Sequence, residues 1–244
     1  GMITASAAAQ AKVTTFVWGE NADDEGYNFL YTLENYADIF NPTFFNIFLN
    51  KLKRGIIMNA NFKLNGKIIN TDRLVLRPFK DNDLNDFYEY AKVPGVGEMA
   101  GFPHHKSIDE SKTILDIFIS DDKVFAITLK DSGKVIGSLG VEKYGPEEDY
   151  PDFKTSYGRE LGFVISKDYW NNGYATEACK AVIKYLFDEL NYDFIMCCHD
   201  DENEKSKNVQ IKCGFTPYRH INRTTIMGTQ KTSTMNILLN PNKN

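Results

Sequence analysis

The sequence predicts an α/β fold: a mixed sheet with helices on both faces, preceded by an aromatic-rich helical appendage. Three observations predict it. Short strand-like runs joined by turn residues crowd residues 58–144. An amphipathic helical stretch at 173–190 lies between two apolar strands. The chain then closes in the order strand, helix, strand, helix, strand, strand, which calls for a sheet covered on both sides. Length allows one sizeable core plus an appendage: 244 residues, 42% hydrophobic and 25% charged, an ordinary globular balance.

Residues 1–57 form the appendage, and residues 58–244 the main domain. Phe16, Trp18, Tyr27, Phe29, Tyr31, Tyr36 and Phe40 stud the appendage. Asn41 and Pro42 start a helix as N-cap and first helical residue, and that helix aligns Phe44, Phe45, Phe48 and Leu49 to about Arg54. So many aromatics must pack on the main domain or on a second chain, which makes a homodimer an expectation. Purine-rich codons at Lys53-Arg54-Gly55 would make Met58 a start; the aromatics argue that the segment is genuine.

In the main domain, Asn65-Gly66 between NFKL and KIIN predicts a two-residue hairpin. TDRLVLRPF (71–79) reads as a strand, and 81–92 as a helix ended by Pro94. Ser107 and Glu110 make a capping box for a helix to about Ile119. KVFAITLK and KVIGSLGVEKY are strands joined by Asp131-Ser132-Gly133. A polar loop at 145–158 precedes the strand 160–166. The helix 173–190 places Ala175, Ala178, Cys179, Val182, Tyr185 and Leu186 on one face. A strand at 193–198, a helix at 202–213, and strands at 215–224 and 232–240 finish the chain.

The composition excludes some functions. No run of roughly eighteen apolar residues spans a membrane, and no basic start with an apolar stretch marks a signal peptide. A net charge of −5 argues against a nucleic-acid binder. Cys179, Cys197, Cys198 and Cys213 form no CxxC pair and read as reduced core thiols, hence a cytoplasmic protein. His104-His105 lacks partners at ligand spacing, so no metal is expected; a substrate-loop or surface role suits the pair better.

DYWNNGYATEACK (168–180) carries the chemistry. It follows an apolar strand and opens a helix. Gly173 permits close backbone approach, and the first helical amides lack partners and carry the positive dipole end. Strand, tight turn and helix start make an anion site.

Together with ENEKSKNVQIKCGF (202–215), this order resembles the GNAT acetyltransferase superfamily over about residues 70–225, in its ribosomal-protein N-terminal acetyltransferase-like branch. The resemblance implies a mixed, mostly antiparallel twisted sheet and acetyl-CoA as co-substrate. It matches Trp170, Asn171, Asn172, Gly173, Tyr174 and Ala175, with Thr176 beside them, to the loop that holds the CoA diphosphate. Asn172 stands where the branch often has Lys or Arg, which implies weaker CoA binding. Phe163, Val164 and Ile165 would run beside the pantetheine and pair with it like an added strand. Asn203 and Ser206 would touch the pantetheine arm near the thioester. Many members carry a proton-donating Tyr at the position of Gln210; in this branch Ser206 is the candidate instead.

An acceptor α-amino group, with a pKa of roughly 8, needs modest help to lose its proton. Glu160 stands where the branch carries its candidate base, with an edge-of-strand pairing to Arg159 or Lys167 as the alternative. The Ile165 amide or a neighbour is the natural oxyanion contact. The acceptor is a primary amine, either a protein N-terminus or a small molecule. Glu147, Glu148, Asp149 and Asp152 read as a solvated loop, or else as an acidic rim for a cation. The alternatives are a GNAT enzyme acting on an antibiotic, and a non-catalytic acyl-CoA-binding module.

Overall fold

The computed structural model describes residues 59–145, 150–153, 156–224 and 228–243. The chain divides into two compact units, Gly1–Met58 with Phe153–Thr155, and Asn59–Asp152 with Ser156–Asn244. The second unit is described below. The appendage helix, the Met58 start and the acids Glu147, Glu148 and Asp149 lie outside the described residues.

Eight strands form one sheet: β1 (Ile69–Asn70), β2 (Leu74–Pro78), β3 (Val124–Leu129), β4 (Val135–Glu142), β5 (Gly158–Ile165), β6 (Phe194–Asp200), β7 (Thr216–Thr224) and β8 (Gln230–Leu239). The spatial order is β1-β2-β3-β4-β5-β6-β8-β7. All neighbours are antiparallel except β5 and β6. Helices α1 (Leu84–Ala91) and α2 (Ile108–Asp121) precede β3; α3 (Tyr174–Asp188) and α4 (Glu204–Lys212) flank β6.

Strand periodicity sorts the apolar residues into two layers. On one face Leu74, Leu76, Phe125, Ile127, Leu139, Val141 and Leu161 pack with Ala178, Val182 and Leu186 of α3. On the other, Val124, Ala126, Val135 and Val164 meet Phe87, Tyr90 and Ala91 of α1 and Leu115 of α2. Helices therefore cover both faces, as the element order predicts.

Three local expectations are corrected. The Asn65-Gly66 turn forms, with φ of 49° and 75° and Lys67 N donating to Leu64 O at 2.9 Å. Its flanks do not pair with each other: Leu64 N donates to Asp122 O, Asn59 bridges to Gly158, and Ile69–Asn70 pair with β2. The α2 capping box is half made. Ser107 Oγ accepts from Glu110 N at 3.2 Å, while Glu110 Oε2 accepts from Lys106 N, one residue earlier than a capping box requires. Cys179 and Cys197 are buried, but Cys198 and Cys213 are only half-buried, so two of the four thiols are not core.

The decisive feature is where β5 and β6 part. They pair at Gly158↔Phe194, Arg159↔Ile195 and Glu160↔Met196 and nowhere beyond, although β5 runs on to Ile165 and β6 to Asp200. A wedge opens in mid-sheet. Strand backbone direction alternates. Ser166 N donates to Ile136 O on the β4 side, so the backbone groups of Phe163 and Ile165 point into the wedge. On β6, Asn240 N donates to Asp193 O on the β8 side, so the carbonyl of Cys198 also points into it.

Candidate active site

The wedge leads into a cleft of about 480 Å³. Of the residues expected to hold the cofactor, Phe163, Val164, Ile165, Trp170, Asn171, Gly173, Tyr174, Ala175, Thr176, Asn203 and Ser206 line it together. Asn172 does not. Its side chain turns back, Nδ2 donating to Trp170 O at 3.0 Å. Val164 contributes a buried side chain; its backbone is in register with Ser138 of β4, so only Phe163 and Ile165 offer backbone groups to the opening.

The turn before α3 is built for exposed amides. Asn171 and Gly173 have φ of 62° and 81°, and Gly173 is the helix N-cap with no side chain accepting from the first turn. The first intrahelical bond runs from Glu177 N to Gly173 O at 3.0 Å. The amides of Tyr174, Ala175 and Thr176 thus stay without intrahelical partners at the positive end of α3.

Arg73, which sequence reasoning missed, braces this turn. Its Nη1 donates to Asn172 O at 2.9 Å, its Nε to Glu177 Oε2 at 2.7 Å, and its guanidinium lies 4.4 Å from the Tyr174 ring centroid. Thr71 Oγ1 donates to Glu177 as well. Burial pushes the Glu177 carboxyl up, but the hydrogen bonds from Thr71 and Arg73 outweigh it and hold it below its ordinary value. The charge expected at position 172 is absent, yet Lys205 and Lys212 line the cleft from α4, Lys205 Nζ lying 3.7 Å from the Trp170 ring centroid. Trp170 Nε1 donates to Ile165 O at 2.7 Å, tying the turn to the end of β5.

The far wall belongs to α4 and the loop after α1. Asn203 caps α4, its Oδ1 accepting from Ser206 N at 3.1 Å. Its Nδ2 donates to Met99 O at 3.1 Å, which fastens the loop to the helix. In that loop Glu98 accepts from Gly95 N, His104 N and His104 Nδ1. Burial pushes its carboxyl up; the bonds from His104 and the loop amides outweigh this and lower it to about 2. His105 corrects the surface expectation. It is buried beside Phe87 and Phe102, its Nδ1 2.7 Å from Ser111 Oγ, and burial pushes its imidazole down. Among the described residues no group of three His, Cys, Asp or Glu could hold a metal ion.

Glu160 lies at the apex of the wedge, the last residue paired on both sides, opposite Glu142 and Met196. Arg159 points to the opposite face and donates to Ala60 O, which turns its guanidinium away from Glu160. Cys197 sits nearby; burial first, then the charge of Glu160, pushes its thiol well up.

The acetyltransferase (GNAT) domain family matches residues 73–216. The chain belongs to the GNAT acetyltransferase family. A Bacillus subtilis relative, the uncharacterized N-acetyltransferase YnaD, is 32% identical over 149 residues, covering 60% of this chain and 81% of that protein. Many solved structures share the fold, among them the following two. The ribosomal-protein-S5-alanine acetyltransferase from Vibrio fischeri superposes with a TM-score of 0.57 at 17% identity, over 73% of this chain and 99% of that one. The microcin C7 self-immunity acetyltransferase MccE, in complex with acetyl-CoA and AMP, superposes with a TM-score of 0.57 at 14% identity, over 69% and 93%. The enzyme is thus an acetyltransferase, built on the mostly antiparallel GNAT sheet. Among the described residues no helix is long and apolar enough to cross a membrane.

Proposed function

We propose that residues 58–244 transfer an acetyl group from acetyl-CoA to a primary amine, a protein N-terminus or a small amine, by direct attack in a ternary complex. Residues 1–57 are an appendage to this domain. The reading is carried by one observation: the uncapped start of α3 and the unpaired edge of β5 open on the same cleft. The cleft fits the co-substrate chemically. Amides of Gly173, Tyr174, Ala175 and Thr176 suit a diphosphate, with Lys205 and Lys212 adding positive charge. Phe163 and Ile165 offer a strand edge to the amides of a pantetheine arm.

Bound acetyl-CoA supplies the activated acetyl group. Glu160 accepts the proton that the acceptor nitrogen loses, and the Ile165 amide donates to the carbonyl oxygen as charge develops there. Ser206 faces the cleft as proton donor to the departing sulfur. Direct attack is favoured because burial keeps the Cys197 thiol protonated and a poor nucleophile. The four free thiols favour a reducing compartment, the cytoplasm.

Thiol release from acetyl-CoA over a panel of amines and N-terminal peptides tests the function. Saturable CoA binding with no release on any acceptor rejects it. For the base, Glu160→Gln is expected to slow transfer about 100-fold while CoA binding persists; unchanged turnover removes Glu160 from the role.

A further inference from the structure

Gln210 stands where many family members carry a tyrosine, and the structure turns it away from solvent, 2% exposed. Its side chain is fully engaged. Nε2 donates to Cys198 O at 3.2 Å and to Ser206 Oγ at 3.1 Å, and Oε1 accepts from Asn236 Nδ2 at 2.7 Å. The orientation of this amide is determined by its partners. A backbone carbonyl only accepts, so the nitrogen end must face Cys198, and its second hydrogen then falls on Ser206.

A hydroxyl that accepts from an amide must place its own hydrogen elsewhere. Among the described residues the Ser206 hydroxyl has no acceptor, and Ser206 lines the cleft. We infer that Gln210 is a positioning residue: by donating to Ser206 Oγ it aims the serine hydrogen into the cleft, ready for the leaving sulfur. The inference rests on the acetyl-transfer reading above.

The proton balance closes. As the new N–C bond forms, the amine's surplus proton passes to Glu160. As the C–S bond breaks, Ser206 gives its proton to the sulfur and takes one back from water, and Glu160 releases its extra proton to that solvent, which restores both groups. Gln210 exchanges no proton and touches no substrate atom.

The network also explains how a glutamine can occupy the tyrosine position. A tyrosine there would act directly. Here the amide spends one hydrogen on the wedge-facing carbonyl of Cys198 and passes control of the proton to a smaller side chain one helical turn earlier.

The test uses the full chain with Ser206→Ala, Gln210→Met and the double variant. Methionine keeps the unbranched shape without the donors. The first readout does not depend on activity. In a 15N-labelled protein the Gln210 side-chain amide is expected to exchange slowly with solvent, and Ser206→Ala is expected to shift one of its two protons and speed its exchange. Unmoved resonances overturn the inference, even should Gln210→Met fail to fold.

The second readout is kinetic. Each single variant is expected to lose about 100-fold in kcat, the usual worth of a positioned proton donor, with the dissociation constant for CoA changed less than about threefold. The double variant is expected to be no slower than Ser206→Ala alone, because the glutamine acts only through the serine. Losses that multiply mark a merely structural glutamine and overturn the inference, as does full activity in Gln210→Met. Full activity in Ser206→Ala alongside a slow Glu160→Gln also overturns it, and leaves the acetyltransferase function standing.

Discussion

Gly173→Ala perturbs the anion cradle at its backbone alone. The added Cβ would meet only Arg73 Nη2, at 3.5 Å, an ordinary contact. The cost is conformational: φ at this position is +81°, a region that costs an L-residue about 1–2 kcal/mol. The free protein can shed that cost by relaxing the turn, but acetyl-CoA binding must restore the conformation that aims the amides of Tyr174, Ala175 and Thr176. The penalty therefore appears as a dissociation constant about 5- to 25-fold higher by titration calorimetry. Gly66→Ala is the control. Its φ is +75° with nothing within 4 Å of the new Cβ, and it lies outside the cleft lining. It is expected to carry a similar cost as a melting temperature lowered by about 2–8 °C, with affinity unchanged. Should Gly173→Ala bind acetyl-CoA as the wild type does, the turn amides do not hold the ligand and the reasoning fails.

Three further predictions address the site and its support. Arg73→Ala removes the brace on Asn172 O and Glu177; because the arginine is 46% exposed and screened, the Michaelis constant for acetyl-CoA should rise only about fivefold, with kcat held. A drop in kcat alone would contradict a bracing role. Glu98 has its folded value lowered to about 2 from an ordinary 4.5, so its contribution to stability is complete above about pH 4.5 and drains away as the pH falls towards 2. Urea midpoints across that window should fall more steeply in the wild type than in Glu98→Gln, and parallel slopes would refute the assignment. Iodoacetamide should label Cys213, whose thiol is lowered by its contact with Cys179, before Cys179 and Cys197, whose thiols are raised. Peptide mapping that finds Cys197 modified first would refute that order.

How much of this was legible in the sequence depends on the range of the interaction. Where one segment decides its own structure, the reading holds: Gly133 closes the β3–β4 turn, Ser107 caps α2, and the spacing of Ala178, Val182 and Leu186 buries one face of α3. The strand, glycine turn and helix start were legible for the same reason. Where the partner is distant, local pattern misleads. Asn65-Gly66 makes its turn, but Ala60 N finds Gly158 O, and no hairpin ladder follows. Arg73 is near in space to Asn172 and Glu177 but about a hundred residues away in sequence, so nothing local marks it as part of the cradle. The parity that turns Phe163 and Ile165, rather than Val164, into the wedge depends on pairing with β4. Asn203 matched the family position, yet its tie to Met99 appears only in three dimensions.

The parting of β5 and β6 leaves the domain with raw strand edges in its interior as well as at its rim. Such edges recruit foreign strands and seed aggregation unless blunted. Each inner edge here is plugged by a side chain: Trp170 donates to Ile165 O, and Gln210 donates to Cys198 O. The gap between the two strands is therefore closed by side chains in place of a ladder, and loss of either side chain would bare an edge that a foreign strand could extend.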